Sequence, residues 1–342
     1  VGLGSDRLSS VAVLKFNDRF AQNTYNALFA VPKPPKPPTV KIAELDGQIV
    51  LEWGSDLAGV TDIETRVNNP GSYTFEGYNV YQLPTRGSRL AEAKRIVTFD
   101  MPADPTVVLD QQFDNKSGQI LNVPVQFGTN SDITRYLNLK RDYVRDIDKL
   151  WNGQEYYYVV TAYSIATVAG FLPAALESDA IVNVARPKAP FGRVYQTIPG
   201  DTAKVTHSAG VSDGSVVPIV VDPTKSTGHS YSVTFDSTGL YLGNPVSWRL
   251  RNTTTNAVIL QNQVNQSANA QNNIVEGGVL LQVLGPALAG KSTAVTGTRW
   301  FTAGSGSGGE LLFGGVYLGP NFTGSDLTPA EFRDVRLEFT PR

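Results

Sequence analysis

The sequence predicts an all-β chain of two tandem β-sandwich domains, preceded by an N-terminal arm that is extended or partly helical. Three observations carry this. Residues Trp151 to Ser164 read W-N-G-Q-E-Y-Y-Y-V-V-T-A-Y-S, where the turn dipeptide Asn152-Gly153 precedes a run of period two. Tyr156, Tyr158, Val160 and Ala162 alternate with Glu155, Tyr157, Val159, Thr161 and Tyr163, which is a strand with two faces and reads as a central strand of a sandwich. Short β-like runs separated by Gly, Asn, Asp or Pro turns recur through the second half of the chain. Charged residues make up 18% of the chain, with 32 Gly and 21 Pro, against about 25% charged in ordinary soluble domains, as expected of turn-rich β structure. The 342 residues suit about two domains of ~150 residues each.

Composition also removes several functional classes. The net charge is -2 with the signs mixed along the chain, so no basic face is expected for phosphate, and nucleic acid and anionic membrane are not expected partners. There is no Cys, which excludes disulfides, thiolate metal sites and a Cys nucleophile and leaves the redox compartment open. No run reaches the ~18 apolar residues of a membrane span. The chain starts at Val1 without Met, and a processed product or a piece of something longer is expected.

In chain order, residues 1–37 form the arm. Leu8, Val11, Val13, Leu14, Phe16, Phe20, Tyr25, Leu28 and Phe29 make it apolar, and from Asp18 the spacing predicts a short amphipathic helix with Asn17 as N-cap. Such a segment does not fold alone. It docks on a neighbouring subunit or domain, or it packs on its own chain or stays disordered. Val31 to Pro38, V-P-K-P-P-K-P-P, predicts a polyproline II spacer and a boundary. The first sandwich then spans 38–187. Val40, Ile42 and Leu45 begin it, Asp46-Gly47 turns, and Ile49, Leu51 and Trp53 place an indole in the core. A loop is expected over Gly54 to Ser72, strands over Tyr73 to Gln82 and Arg95 to Phe99, and an insertion over about 100–149. That insertion has a turn at Asp114 to Gly118 and a mixed extended or partly helical return at Leu137 to Leu150. Leu176 to Val184 supplies the last strand.

Those residues carry a resemblance. Pro38-Thr39, the Trp53 strand, E-G-Y-N-V-Y (Glu76 to Tyr81), N-G-Q-E-Y-Y-Y-V-V-T-A-Y (Asn152 to Tyr163) and L-E-S-D (Leu176 to Asp179) resemble a fibronectin type III domain. The combination is similar to repeats in large exported surface proteins of Bacteroidetes, Ignavibacteria and Calditrichaeota relatives, many with type IX secretion signals. The insertion departs from a plain module of this kind. Ser212 to Asp236 resembles the region that follows the fibronectin unit in the same proteins. The resemblance implies an extracellular or cell-surface location.

Residues 188–342 predict a second sandwich, Ig-like or jelly roll, from nine runs: Val205 to Val211, Val216 to Val221, Tyr231 to Phe235, Val246 to Arg251, Ala257 to Gln263, Gly278 to Leu284, Thr298 to Ala303, Leu311 to Tyr317 and Val335 to Phe339.

No catalytic, cofactor-binding or metal-binding residue is assigned. Gly285 to Ser292 matches G-x-x-x-x-G-K-S, but that loop needs a helix starting at Lys291, and T-A-V-T-G-T is β-branched and Gly-broken. Gly210 to Gly214 matches G-x-S-x-G around Ser212, yet strand and not helix follows, and His207 and His229 do not suit the order of an α/β hydrolase. Asp110, Asp114 and Asn115, or Asp142, Asp146 and Asp148, are where calcium would bind, though neither set has the spacing of a calcium hand. Tyr156, Tyr157, Tyr158 and Tyr163 suggest sugar stacking or, more simply, core packing. Asn115, Asn252, Asn265 and Asn321 sit in N-x-S/T.

The expected function is therefore a non-enzymatic extracellular structural protein that self-assembles as a filament, sheath or surface layer. Its partners would be copies of itself or neighbouring domains of a longer chain. The alternative is an adhesin-like module of a larger secreted protein that binds glycan or protein.

Overall fold

A computed structural model describes residues 4, 6–67, 72–102, 105–114, 117, 119–168, 171, 173–192, 194–210, 214–236, 247–266 and 277–284, with the backbone of 274–275, 301–303, 309–313 and 316–317. Nineteen strands and two α-helices lie among these residues. The chain divides into two compact units: Val1–Asp201 with Val220–Lys225 and Gln271–Leu280, and Thr202–Ile219 with Ser226–Ala270 and Leu281–Arg342.

The first unit opens with a helix longer than the sequence predicts. Helix α1 covers Arg7–Asn26, so Asn17 lies inside it and does not cap it. The start is set by Asp6, whose Oδ1 accepts from the backbone N–H of Leu8 and Ser9 at 2.8 Å each, while the Ser9 hydroxyl accepts from the Asp6 N–H at 2.8 Å. This reciprocal capping box satisfies orphan amides that would otherwise face water. Leu28 and Phe29 then take φ of 51° and 62°, and the Phe29 N–H donates to Thr24 O at 2.8 Å, a left-handed closure of the last turn. The proline segment beyond is seated and not free: Pro35 and Pro38 are buried, and Lys36 Nζ meets Asp62 Oδ2 at 2.7 Å.

The sandwich of this unit follows. Its elements are β1 (Lys41–Leu45), β2 (Gln48–Glu52), α2 (Leu57–Thr65), β3 (Tyr73–Leu83), β4 (Lys94–Asp100), β5 (Val107–Asp114), β6 (Gln119–Phe127), β7 (Tyr136–Leu139), β8 (Tyr156–Ala166), β9 (Ala175–Glu177) and β10 (Asn183–Ala185). One sheet has the order β1-β2-β7; the other runs β10-β8-β3-β4, with β9 also paired to β8. Strands β3 and β8 share the longest ladder, from Tyr73 opposite Ala166 to Leu83 opposite Tyr157, so the Tyr-rich run is central, as its alternation requires. Ile49, Leu51, Trp53 and Leu139 from the first sheet join Tyr78, Val80, Tyr158, Val160 and Ala162 from the second in one buried cluster. Trp53 is 1% exposed.

Three expectations need correction. The loop predicted over Gly54 to Ser72 contains α2, whose N-cap Asp56 accepts from Gly59 N at 3.1 Å and which buries Val60 and Ile63. The segment read as an insertion is a β5–β6 hairpin followed by β7, and β7 pairs with β2 as part of the sandwich, with Ile49 opposite Leu139. Of the two forms expected for the return over Leu137 to Leu150, the extended one is present: it starts in β7, and Asp142 and Ile147 bridge across a turn. Finally, the single strand predicted over Leu176 to Val184 is broken into β9 and β10.

Segments 220–225 and 271–280 also belong to this unit. Val221 and Asp222 donate to Gly278 O at 2.8 and 2.9 Å, and Lys225 Nζ lies 3.1 Å from Asp222 Oδ2 and 3.5 Å from Glu52 Oε1, both on carboxylates that are nearly wholly buried.

In the second unit, β12 (Tyr231–Asp236), β13 (Ser247–Asn252) and β14 (Ala257–Gln263) form an antiparallel sheet in that order. Trp248 and Leu250 are buried on β13, and the indole N–H donates to Asn265 O at 2.7 Å. A second sheet has β17 (Phe301–Ala303), β18 (Gly309–Phe313) and β19 (Val316–Tyr317). Strand β15 (Ile274–Val275) belongs to the first unit, where it pairs with the start of β16 (Val279–Leu284), whereas most of β11 (Ser215–Val220) and the rest of β16 fall in the second. The strand predicted over Val205 to Val211 is not formed in its described part, residues 205–210; Thr202, just before it, makes only an isolated bridge to Ile219. The run Val335 to Phe339 lies outside the described residues.

Candidate functional site

The residues singled out for chemistry are mostly tied up structurally. Tyr156, Tyr158 and Tyr163 are buried to 2%, 0% and 1% exposure, and the Tyr156 hydroxyl accepts from the Trp151 N–H at 2.8 Å. Only Tyr157 reaches solvent, donating to Glu155 at 3.0 Å. The strand therefore presents no aromatic platform. Asp142 Oδ1 accepts from Gln82 Nε2 at 2.9 Å and from the backbone of Val144 and Arg145 at 3.1 Å each. Asp146 and Asp148 are held by Arg141, the second at 3.0 Å, and Asp114 accepts from Ser117 N at 2.9 Å. Among the described residues no group of three or more His, Cys, Asp and Glu is arranged to hold a metal ion.

His207 and His229 are engaged locally, with Ala209 O at 2.9 Å and with Asn252 Nδ2 at 2.9 Å. Asn252 is fully buried, its Oδ1 accepting from Thr254 and Thr255 N–H, so it is closed to a glycan. Ser212, the segment Gly285 to Ser292, Asn115 and Asn321 lie outside the described residues.

Sequence reasoning missed a buried polar layer between the outer face of β3–β8 and the β5–β6 hairpin. Asn79 Nδ2 donates to Gln126 Oε1 and to Glu177 Oε1 at 3.1 Å each, and its Oδ1 accepts from Gln126 Nε2 at 3.1 Å and Thr98 Oγ1 at 2.7 Å. Glu177 Oε1 also accepts from Tyr81 at 2.9 Å and Thr161 at 2.5 Å. Asn79, Thr98, Gln126 and Thr161 are all buried. Beside them, buried Asp100 accepts from Thr129 N at 2.8 Å and Ser131 N at 3.3 Å. Each of these groups has its partner, and the layer fixes the hairpin on the sheet.

What remains open is the arm. Helix α1 packs along β6 with Val13 buried and Phe16 half-buried, and Arg19 Nη1 donates to Gln111 Oε1 at 3.0 Å. On its other side Leu8, Val11, Leu14 and Tyr25 are 79%, 46%, 52% and 66% exposed, and Leu28, Phe29 and Val31 extend the exposed apolar run beyond the helix. The hairpin adds exposed Val107, Leu109, Leu121 and Phe127. An apolar surface of this kind gains free energy by being covered. Among the described residues no helix is long and apolar enough to cross a membrane.

Comparison of the chain with protein-family models, curated proteins and solved structures gave no match.

Proposed function

We propose that the chain is a non-enzymatic extracellular structural protein that self-assembles into a filament, sheath or surface layer through its N-terminal arm. The observation that carries this reading is the set of exposed apolar residues from Leu8 to Tyr25 on a helix anchored to the body of its unit, continued beyond the helix by Leu28, Phe29 and Val31. The anchoring matters because a preordered helix loses less conformational entropy on docking than a free tail. The seated Pro35 and Pro38 hold the exit of the arm in the same way.

The extracellular placement rests on the resemblance to exported fibronectin type III proteins. Strand order supports that resemblance. A three-stranded sheet in the order β1-β2-β7 faces a five-stranded sheet in which β10, β8, β3 and β4 run in order and β9 also pairs with β8, the two-sheet antiparallel arrangement of an immunoglobulin-like sandwich. In this reading the hairpin and α1 are the additions that turn a spacer module into a subunit.

Negative-stain microscopy and light scattering of the purified chain test it. Regular filaments or sheets are the expected result. Monodisperse monomers at all salt and calcium concentrations would overturn it in favour of an adhesin-like binding module.

A further inference from the structure

The outer side of α1 has a definite spacing. Val11, Leu14, Asp18, Ala21 and Tyr25 follow one another at intervals of three, four, three and four residues, and all five are exposed. That is the 3.5-residue period of a helix seam that packs against another helix, not the single broad stripe of a helix lying on a sheet. The stripe that faces the body is a separate one, with buried Val13, half-buried Phe16 and half-buried Asn23. Helix α1 thus has two seams, and one is occupied.

The charges on the open seam select its partner. Asp18 is the one charged residue among these five, at their centre; Lys15 lies one turn before Asp18 on the flank, and exposed Arg7, four residues before Val11, continues the seam at its start. Two parallel copies would set Asp18 against Asp18 in a partly desolvated seam, which is unfavourable. An antiparallel pair related by a two-fold axis does the reverse. With Val11 opposite Ala21 of the second copy, Leu14 and Lys15 come opposite Asp18, and Arg7 comes opposite Tyr25. Each contact then occurs twice, as an isologous interface requires. The acid is covered by a lysine and the tyrosine ring by a guanidinium, pairings favourable in both members.

From this spacing and this charge pattern we infer that α1 is a homodimerisation helix, docking antiparallel on α1 of a second copy through Val11, Leu14, Asp18, Ala21 and Tyr25. The inference builds on the assembly reading, since it names the partner of the arm. A two-fold contact closes on itself, so the pair is the building block of a larger array whose other contacts lie elsewhere.

The test is sedimentation equilibrium of the full chain with three variants. Wild type is expected to dimerise reversibly. Leu14→Glu and Asp18→Lys are each expected to weaken the dimer by about tenfold or more, and Lys15→Asp combined with Asp18→Lys to restore it. Circular dichroism checks that each variant keeps its fold, which exposed positions permit. A wild type that stays monomeric, a dimer indifferent to Leu14→Glu, or a charge exchange that fails to restore association overturns the inference. The two readings fail separately. Filaments that persist in Leu14→Glu retain assembly and reject this seam, whereas a Leu14-dependent dimer that never grows further retains the seam and rejects assembly.

Discussion

Arg135 meets Glu64 side-on inside the first unit, Nε to Oε1 at 2.8 Å and Nη2 to Oε2 at 2.6 Å, with the two side chains only 2% and 7% exposed. The pair joins the last turn of α2 to the run into β7, and the Tyr78 hydroxyl donates to the same Glu64 Oε1 at 2.8 Å. The backbone of Arg135 also receives the Trp53 N–H at 2.9 Å. Removing one partner strands a charge in the interior, which costs about 3–5 kcal/mol. Glu64→Gln and Arg135→Met are each expected to lose stability on that scale in urea unfolding. The double variant should lose clearly less than the sum of the two, because neither charge is then left alone.

Gly77 in the motif E-G-Y-N-V-Y is fixed by close approach. A Cβ there would sit 2.2 Å from Phe99 O and 2.9 Å from Asp100 Cα, both backbone atoms of β4. The β3–β8 register shifts at the same place, between Phe75 and Gly77, as glycine in a strand interior often marks. Gly77→Ala must push β4 outward, and a loss of about 2 kcal/mol or more is expected from the overpacking. Gly153→Ala is the comparison: its φ is 83° but no heavy atom lies within 4 Å of the new Cβ. Only the left-handed backbone is penalised there, at about 1–2 kcal/mol. Equal unfolding midpoints for the two variants would contradict the steric account.

How much of this was legible varies with the kind of signal. The strands β3 and β8 announce themselves because period two survives in E-G-Y-N-V-Y and E-Y-Y-Y-V-V-T-A-Y, and Asp46-Gly47 and Asn152-Gly153 mark turns. Helix α2 is hidden: L-A-G-V-T-D-I-E-T holds Gly59 and four β-branched residues, which favour helix poorly. The readable signal was Asp56 ahead of Val60 and Ile63, a cap before apolar residues three apart. Strand β6 contains Pro124, which normally argues against a paired strand, and it is accommodated beside the register shift between Val108 and Leu109. The polar layer was illegible in principle, since Asn79 and Gln126 are 47 residues apart and neither has an apolar period to report. For the arm, the apolar residues are visible, but the Asp6–Ser9 capping box has Ser where Glu or Gln is the usual signature, and it starts the helical turns that hold the open seam.

Alkaline unfolding should follow the buried tyrosines. Burial, above all, pushes the hydroxyls of Tyr73, Tyr78, Tyr81, Tyr158 and Tyr163 up, Tyr73 to about 12, with Asp110 adding to it there and Glu64 and Glu177 beside Tyr78 and Tyr81; for Tyr163 the charges of Asp100 and Glu76 follow burial. An unfolded tyrosine ionises near pH ~10. The unfolded chain therefore releases protons first, and stability that is full below pH ~10 is lost as pH rises toward 12 and beyond. Absorbance at the phenolate band should show these tyrosines ionising together with the loss of far-ultraviolet dichroism. Their ionisation at about pH 10 in a chain that is still folded would be the contrary result.

The acid limb has a different origin. Burial raises the Glu44 carboxyl, but the hydrogen bond from Lys188 Nζ, at 2.7 Å, and that from the Arg186 N–H, at 2.9 Å, outweigh it and leave the group below its ordinary value. A lowered folded value contributes stability above the unfolded pKa near ~4.3, and that contribution disappears as pH falls through the folded one. Glu44 ties β1 to the segment leaving β10. Glu44→Gln is expected to lower stability at pH 7 and to flatten its decline between pH 5 and 3. Parallel acid limbs for wild type and variant in urea titrations would show that Glu44 takes no part.

An isolated two-stranded sheet is marginal in water, and β5–β6 is held to the body by the reciprocal amide pair of Gln126 and Asn79, at 3.1 Å in both directions. Gln126→Ala leaves the Asn79 amide facing a buried gap, which costs about 1–3 kcal/mol. Because the sandwich core lies on the other face of β3, the loss should be local. Hydrogen exchange is expected to quicken over 107–127 and over α1, which packs on β6, while β2, β3 and β8 keep their protection. Uniformly faster exchange through both sheets would mean that the polar layer supports the sandwich itself and not the platform on which the arm is presented.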